Sequence, residues 1–257
     1  MKIVYAAIDG GKEFRSEARE NTGVLLEHLS STIDAVQRTQ RDVELLVFPA
    51  GYFQLAEASE LTRLEAEVEE RIAACAPSFG VVWGTDAADV PKLAHAKEEP
   101  ELDGELPFYV SYRGPRGERV RLRQVSVGAS DGSLDIVDER WGNRAALLPG
   151  TEIALLICGE CWSEKLRTRI AEAKSRVLVI AAHRTVNMHH EETGYGRLSW
   201  HRLLDKFQRS TGIPTILSEH TRSPDRHPYA WPEDISTPLL LDGVPAAITL
   251  RLATIPA

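Results

Sequence analysis

The side chains best suited to chemistry sit in two short stretches: Cys158-Gly159-Glu160-Cys161 and, further on, His183, His189 and His190. Cys158 directly follows five consecutive apolar residues, Ile153 to Ile157. A run that short and apolar reads as a strand buried on both faces. Gly159 permits a sharp turn after it. Ser163 reads as a helix N-cap, followed by Leu166, Ile170 and Ala173 at helical spacing. A cysteine between a strand end and a helix start is lifted out of the sheet, near the positive end of the helix dipole, which favours a thiolate. Such a thiolate is a nucleophile when a base or a depressed pKa activates it. The same position also suits a buried structural cysteine. His183, His189 and His190 lie on the Cys158 side of the sheet if the strands before them run parallel, so a Cys–His pair is a second route to an activated thiol. His189-His190-Glu191-Glu192 reads more simply as a hydrated loop. CxxC spacing also suits zinc. There is only one such pair, however, and Cys158 closes a buried strand, so no metal and no cofactor are expected.

These residues need a scaffold, and the chain is long enough to build one. It has 257 residues, 43% hydrophobic and 26% charged, which suits one large α/β domain over residues 1–257. The formal net charge of −8, with no concentrated basic region, argues against a nucleic-acid partner. The five arginines between Arg113 and Arg123 fit the solvated face of a hairpin. An odd count of three cysteines points to a reducing compartment. The start reads as a strand and not a signal peptide, and no apolar run reaches transmembrane length. A cytoplasmic protein with no membrane partner is the expectation.

The hydrophobic period predicts strands at 2–8, 43–48, 79–84, 108–113, 119–127, 153–157, 176–182 and 213–218, and helices at 17–37, 60–75 and 198–208. A helix follows Ser163, and a last hairpin pairs 237–241 with 246–252 across Asp242-Gly243. The stretch 86–106 reads as a long surface excursion. Two βα halves thus flank antiparallel elements. A plain doubly wound sheet does not accommodate that order. Two mixed sheets packed face to face with helices outside use all of it.

The motifs along this pattern resemble those of the nitrilase superfamily, the carbon–nitrogen hydrolases. Ile157-Cys158-Gly159-Glu160 stands where that family has Ile-Cys-Tyr-Asp. Leu46-Val47-Phe48-Pro49-Ala50 matches its apolar strand and Phe-Pro-Glu. Arg123-Gln124-Val125-Ser126-Val127 is the best match to its Arg-Lys-x-His-Leu. The resemblance runs from Met1 to about Ser218 and weakens beyond. It implies a four-layer α-β-β-α sandwich, Cys158 as nucleophile with Glu160 beside it, and a homodimer with Trp162, Leu166 and Ile170 near its contact. It also implies a small amide- or nitrile-like ligand.

The departures are as informative. The family triad is Glu, Lys and Cys; the equivalent positions here are Ala50, Gln124 and Cys158. Ala50 has no titratable group, and Gln124 donates a hydrogen bond without an ammonium's charge. Losing the base costs about 10²- to 10⁴-fold. The sequence therefore predicts an inactive or diverged member that binds a small molecule or a partner. The alternative is an active amidase- or nitrilase-type hydrolase working on non-peptide C–N bonds through Cys158 and a substitute group. His183 is one candidate, Arg123 another if the second motif shifts by one residue, and Glu57 or Glu60 a third.

Overall fold

Strands form where the apolar runs are densest, and their order follows from which faces are apolar. The structure, a computed structural model, describes residues 1–9, 21–87, 108–125, 145–183, 197–221 and 230–256. The strands are β1 (Lys2–Asp9), β2 (Val43–Val47), β3 (Phe53–Gln54), β4 (Gly80–Asp86), β5 (Phe108–Arg113), β6 (Arg119–Arg123), β7 (Ile153–Ile157), β8 (Val177–Ala181), β9 (Thr215–Thr221), β10 (Ala230–Trp231), β11 (Ser236–Leu239) and β12 (Ile248–Thr254). The helices are α1 (Thr22–Thr39), α2 (Leu61–Cys75), α3 (Glu164–Glu172) and α4 (Arg197–Thr211).

The main hydrogen-bonded path runs β6-β5-β4-β2-β1-β9-β8-β7, with β12 also on β1 and β11 on β12. The six strands from β4 through β2, β1, β9 and β8 to β7 run parallel to one another along that path. β5 and β6 are antiparallel, as is the last hairpin. The path divides at β1 and β9, which meet only at Ala7 with Glu219, Ile8 with His220 and Asp9 with Thr221.

Three buried layers show how the two halves stack. Ile3, Tyr5, Leu45, Val47 and Val82 from the first half pack with Ile153, Leu155, Val177, Val179 and Ile216 from the second. On the far side of the first half, Val4, Leu46 and Val81 pack against Leu25, Leu29 and Ile33 of α1 and Leu64, Val68 and Ile72 of α2. On the far side of the second half, Ala154, Leu156, Leu178 and Ile180 pack against Leu166 and Ile170 of α3 and Leu204 and Phe207 of α4. The alternation of side chains along each strand supplies both layers at once. The result is the α-β-β-α sandwich of two mixed sheets expected above.

Element boundaries shift modestly from the sequence expectations. The first helix of the described residues begins at Thr22, residues 17–20 lying outside them, and β4 runs on through the buried Thr85 and Asp86. β6 stops at Arg123, four residues short of the predicted end. No helix of the described residues is long and apolar enough to cross a membrane.

Candidate active site

Parallel strands aim their carboxyl ends the same way, and side chains placed there converge on one rim. Pro49 to Gly51 follow β2, Asp86 ends β4, Cys158 follows β7, His183 lies just beyond β8, and Glu219 and His220 sit near the end of β9. Both sheets therefore contribute to a single edge.

Cys158 starts a 3₁₀ turn, Cys158–Trp162, that separates β7 from α3. The expected helix start is real: Ser163 Oγ accepts from Leu166 N at 3.4 Å. It lies a turn further on, so the α-helix dipole does not begin at the cysteine. Cys158 itself has φ +43°, a left-handed conformation costly for a residue with a β-carbon. Strain of that kind turns a side chain out of the sheet, as in the elbow that presents a nucleophilic serine on other α/β folds. Cys158 packs against the layer between the sheets, whereas Cys161 is fully buried in the layer under α3 and α4. Burial, then the nearby Cys158, pushes the Cys161 thiol well up. The two cysteines face different layers.

His183 is the histidine brought to Cys158. Its Nε2 donates to Asp86 Oδ1 at 2.6 Å, and Asp86 is only 2% exposed. Burial alone would lower the His183 pKa. The charges of Asp86 and Cys158, with hydrogen bonds to both side chains, outweigh it and raise the value to about 10. With Nε2 committed to Asp86, Nδ1 is the ring nitrogen left to serve the sulfur. The Phe108 ring lies 4.7 Å from the imidazole, centroid to centroid, and closes its other side. Asp86, His183 and Cys158 thus form a connected series: carboxylate, imidazole, thiol.

The first-motif loop makes room for this series. A β-carbon on Gly51, whose φ is +63°, would lie 2.5 Å from Asp86 Oδ2 and 3.1 Å from His183 Cδ2. Ala50 is fully buried in the same inter-sheet layer that Cys158 packs against. Its carbonyl accepts from His220 Nε2 at 3.0 Å. A β-carbon on Gly84 would overlap the Ala50 backbone, so β4 and this loop touch through glycine.

Gln124 is buried, and its backbone N–H donates to Phe108 O at 2.9 Å. Val120 and Leu122 face the inter-sheet layer, and alternation puts Gln124 on that side. Arg123 falls on the opposite face, with its guanidinium 5.5 Å from the centre of the Tyr109 ring. That corrects the expectation that Arg123 could occupy the lysine position. Glu160 is fully buried. Its Oε1 accepts from Val125 N and its Oε2 from Ile157 N, both at 2.9 Å. Both carboxylate oxygens are engaged by backbone amides, so the structure places Glu160 as a bracket beside the cysteine and not as its base. Glu57 and Glu60 do not swing inward: Glu57 accepts from Ser59, and Glu60 pairs with Arg63 at the solvent face. His189 and His190 lie outside the described residues.

No protein-family model and no curated protein sequence matches this chain. Solved structures do. One is a point mutant of the amidase from Nesterenkonia sp. AN1, captured after Michael addition of acrylamide at its active-site cysteine. It aligns at TM-score 0.58 and 12% identity over 100% of this chain and 93% of that one. A second structure of that amidase, a cysteine-to-serine mutant described as from the nitrilase superfamily, aligns at TM-score 0.56 and 11% identity over 100% and 92%. This chain has the nitrilase-superfamily fold. A carbon–nitrogen hydrolase from Helicobacter pylori G27 aligns at TM-score 0.55 and 11% identity over 86% of this chain and 72% of its own.

Against that nitrilase fold, sequence reasoning missed Asp86 and Gly51. Asp86 stood at the start of the supposed surface excursion. The available signal was that Thr85 and Asp86 extend a strand parallel to β2, whose own carboxyl end leads into the first motif. Gly51 was visible only as a turn residue, because its meaning depends on what lies across from it.

Proposed function

We propose that this chain is a thiol hydrolase of small, non-peptide amide-type C–N bonds, working through Cys158, His183 and Asp86 in place of the family's glutamate-dependent machinery. The observation that carries the reading is the series Asp86–His183–Cys158, with Asp86 and His183 only 2.6 Å apart. Asp86 fixes the imidazole and stabilises its charged form; His183 keeps a proton beside the sulfur. The Cys158 thiolate attacks the acyl carbon and a C–S bond forms. The carbonyl oxygen takes up the electron pair as an oxyanion. His183 then delivers its proton to the nitrogen, the C–N bond breaks and the amine leaves. Water, giving a proton to His183, attacks the thioester, and the acid departs as the thiolate returns. Gln124 is the neutral donor nearest in kind to the missing lysine and supports the oxyanion.

The experiment is turnover of a panel of small amides, nitriles and ureido acids by the purified protein, with Cys158→Ala and His183→Asn beside it. Turnover that vanishes in Cys158→Ala and falls about 10²- to 10⁴-fold in His183→Asn is expected. No turnover, together with Cys158 alkylation at the rate of an ordinary thiol, overturns the reading. It would favour the second one, an inactive member that binds a small molecule, which Ala50 and Gln124 in place of the family's glutamate and lysine support. The proposed assembly is a homodimer of a cytoplasmic protein. Leu166 and Ile170 are turned into the chain's own core, so any contact near α3 falls to the half-buried Trp162 and its exposed neighbours. A monomer by light scattering at micromolar concentration contradicts it.

A further inference from the structure

We infer that Glu160 is a positioning residue: its buried carboxylate clips the Gln124 segment to the Cys158 elbow and so holds the Gln124 carboxamide as the oxyanion donor. This rests on the hydrolase reading above and adds the means by which its neutral donor is kept in register.

Glu160 occupies the third position of the 3₁₀ turn, and its bond to Ile157 N is half of an ordinary capping arrangement. A cap needs only one oxygen. The other crosses to Val125 N, thirty-five residues earlier in the chain and two residues past the end of β6 of the other sheet. The residues clipped are the immediate neighbours of the two that matter: Ile157 precedes Cys158, and Val125 follows Gln124. The carboxylate is fully buried. A charge in such a place is retained only when strong hydrogen bonds compensate its lost hydration.

The chemistry of the donor makes the clip necessary. A lysine ammonium attracts an oxyanion from a range of positions, because its charge is spherical and its stem long. A carboxamide N–H acts only over a short range and near linearity. Gln124 N on Phe108 O fixes one side of this residue, and Val125 N on Glu160 fixes the other. The clip also explains why β6 ends at Arg123. From Val125 the backbone leaves the ladder to serve the carboxylate.

The test compares two reactions of Cys158 in the full chain. Acylation by p-nitrophenyl acetate passes through an oxyanion. Alkylation by iodoacetamide does not, and needs only the thiolate. Glu160→Gln keeps the shape but faces one backbone N–H with a second donor. Val125→Pro removes the N–H that reaches Glu160 and leaves the cap on Ile157 intact, so it serves if the first variant folds poorly. Either variant should lower the acylation rate about 10- to 100-fold, somewhat less than the loss of a whole oxyanion donor. The alkylation rate and its pH profile should stay within about twofold, because His183 and Asp86 are untouched. Gln124→Ala should show the same split, and combining it with Val125→Pro should cost little more, since both remove one donor. Equal losses in acylation and alkylation, unchanged acylation, or simple additivity with Gln124→Ala overturn the inference while leaving the hydrolase reading intact. A wild-type protein that p-nitrophenyl acetate does not acylate overturns that reading, and the inference with it.

Discussion

Two loops at the same rim, Phe48 to Gly51 after β2 and Ile157 to Trp162 after β7, have met different fates. Both follow strands buried along nearly their whole length, and both place a residue at positive φ, +63° at Gly51 and +43° at Cys158. The cysteine loop carries a thiol on strained backbone, braced by a buried carboxylate. The first loop has no ionisable side chain at its critical position. Backbone contacts hold it instead, Phe48 N on Val82 O at 2.9 Å and the Ala50 carbonyl on His220. What it offers the site is space, which the Asp86–His183 pair fills. The contrast teaches that the frame and the chemistry are separable. A strand-end loop can stop supplying a group and start accommodating one supplied from the strands beside it.

The comparison is tested most severely at Gly51. If the loop's contribution is room, Gly51→Ala should disrupt the Asp86–His183 pair through its 2.5 Å approach to the carboxylate and strain the backbone at φ +63°. Turnover should fall about 10- to 100-fold, because misplacing a base by about 1 Å has effects of that order. Stability should fall by about 1–2 kcal/mol in urea melts. A variant with wild-type turnover would mean that the loop does not shape the site.

An intermediate effect concerns pH. His183 is raised from 6.5 to about 10, so the folded chain holds a proton that the unfolded chain releases between those values. The stability from this group is therefore complete below about pH 6.5 and is lost as the pH climbs through about 10. Urea unfolding across that window should show a decline in the wild type that is shallower in His183→Asn. Parallel declines would place the charge elsewhere.

The smallest effect isolates the strain on the cysteine side. Cys158→Gly and Cys158→Ala both remove the sulfur, but only glycine accepts φ +43° freely. The glycine variant should be the more stable by about 1 kcal/mol, read as a higher Tm. An alanine variant of equal or greater stability would show that the elbow relaxes without the thiol.

Much of this fold could be read from the sequence, because burial on two faces leaves a simple mark. Ile153 to Ile157 and the strand around Val177 to Ile180 are apolar without interruption, and both were bounded to within a residue. The site was legible in proportion to how local its causes are. Cys158 and Gln124 stand in recognisable motifs, and His183 followed from strand direction alone. Alternation along β6 could have separated Gln124 from Arg123, since Arg121 and Arg123 share the Tyr109 side. Asp86 was lost because a buried aspartate at a strand end looks like the first residue of a polar loop until its histidine is found. The early end of β6 had no local cause: the Val125 amide leaves the ladder for a carboxylate far along the chain.

The narrow seam between β1 and β9 has a mechanical consequence. Asp86 stands on one sheet while Cys158 and His183 stand on the other, so the Asp86–His183–Cys158 series doubles as a gauge of how the two slabs are seated. Three residue pairs tie the slabs edge to edge, and the packing of residues such as Ile3, Tyr5, Val179 and Ile216 sets their spacing elsewhere. A slip of a few tenths of an ångström along that plane would leave every helix and strand intact yet lengthen the 2.6 Å contact between Asp86 and His183. If the series works as proposed, such a slide would disable it without unfolding the chain, and the interior residues that resist the slide would govern its reactivity without touching what reacts.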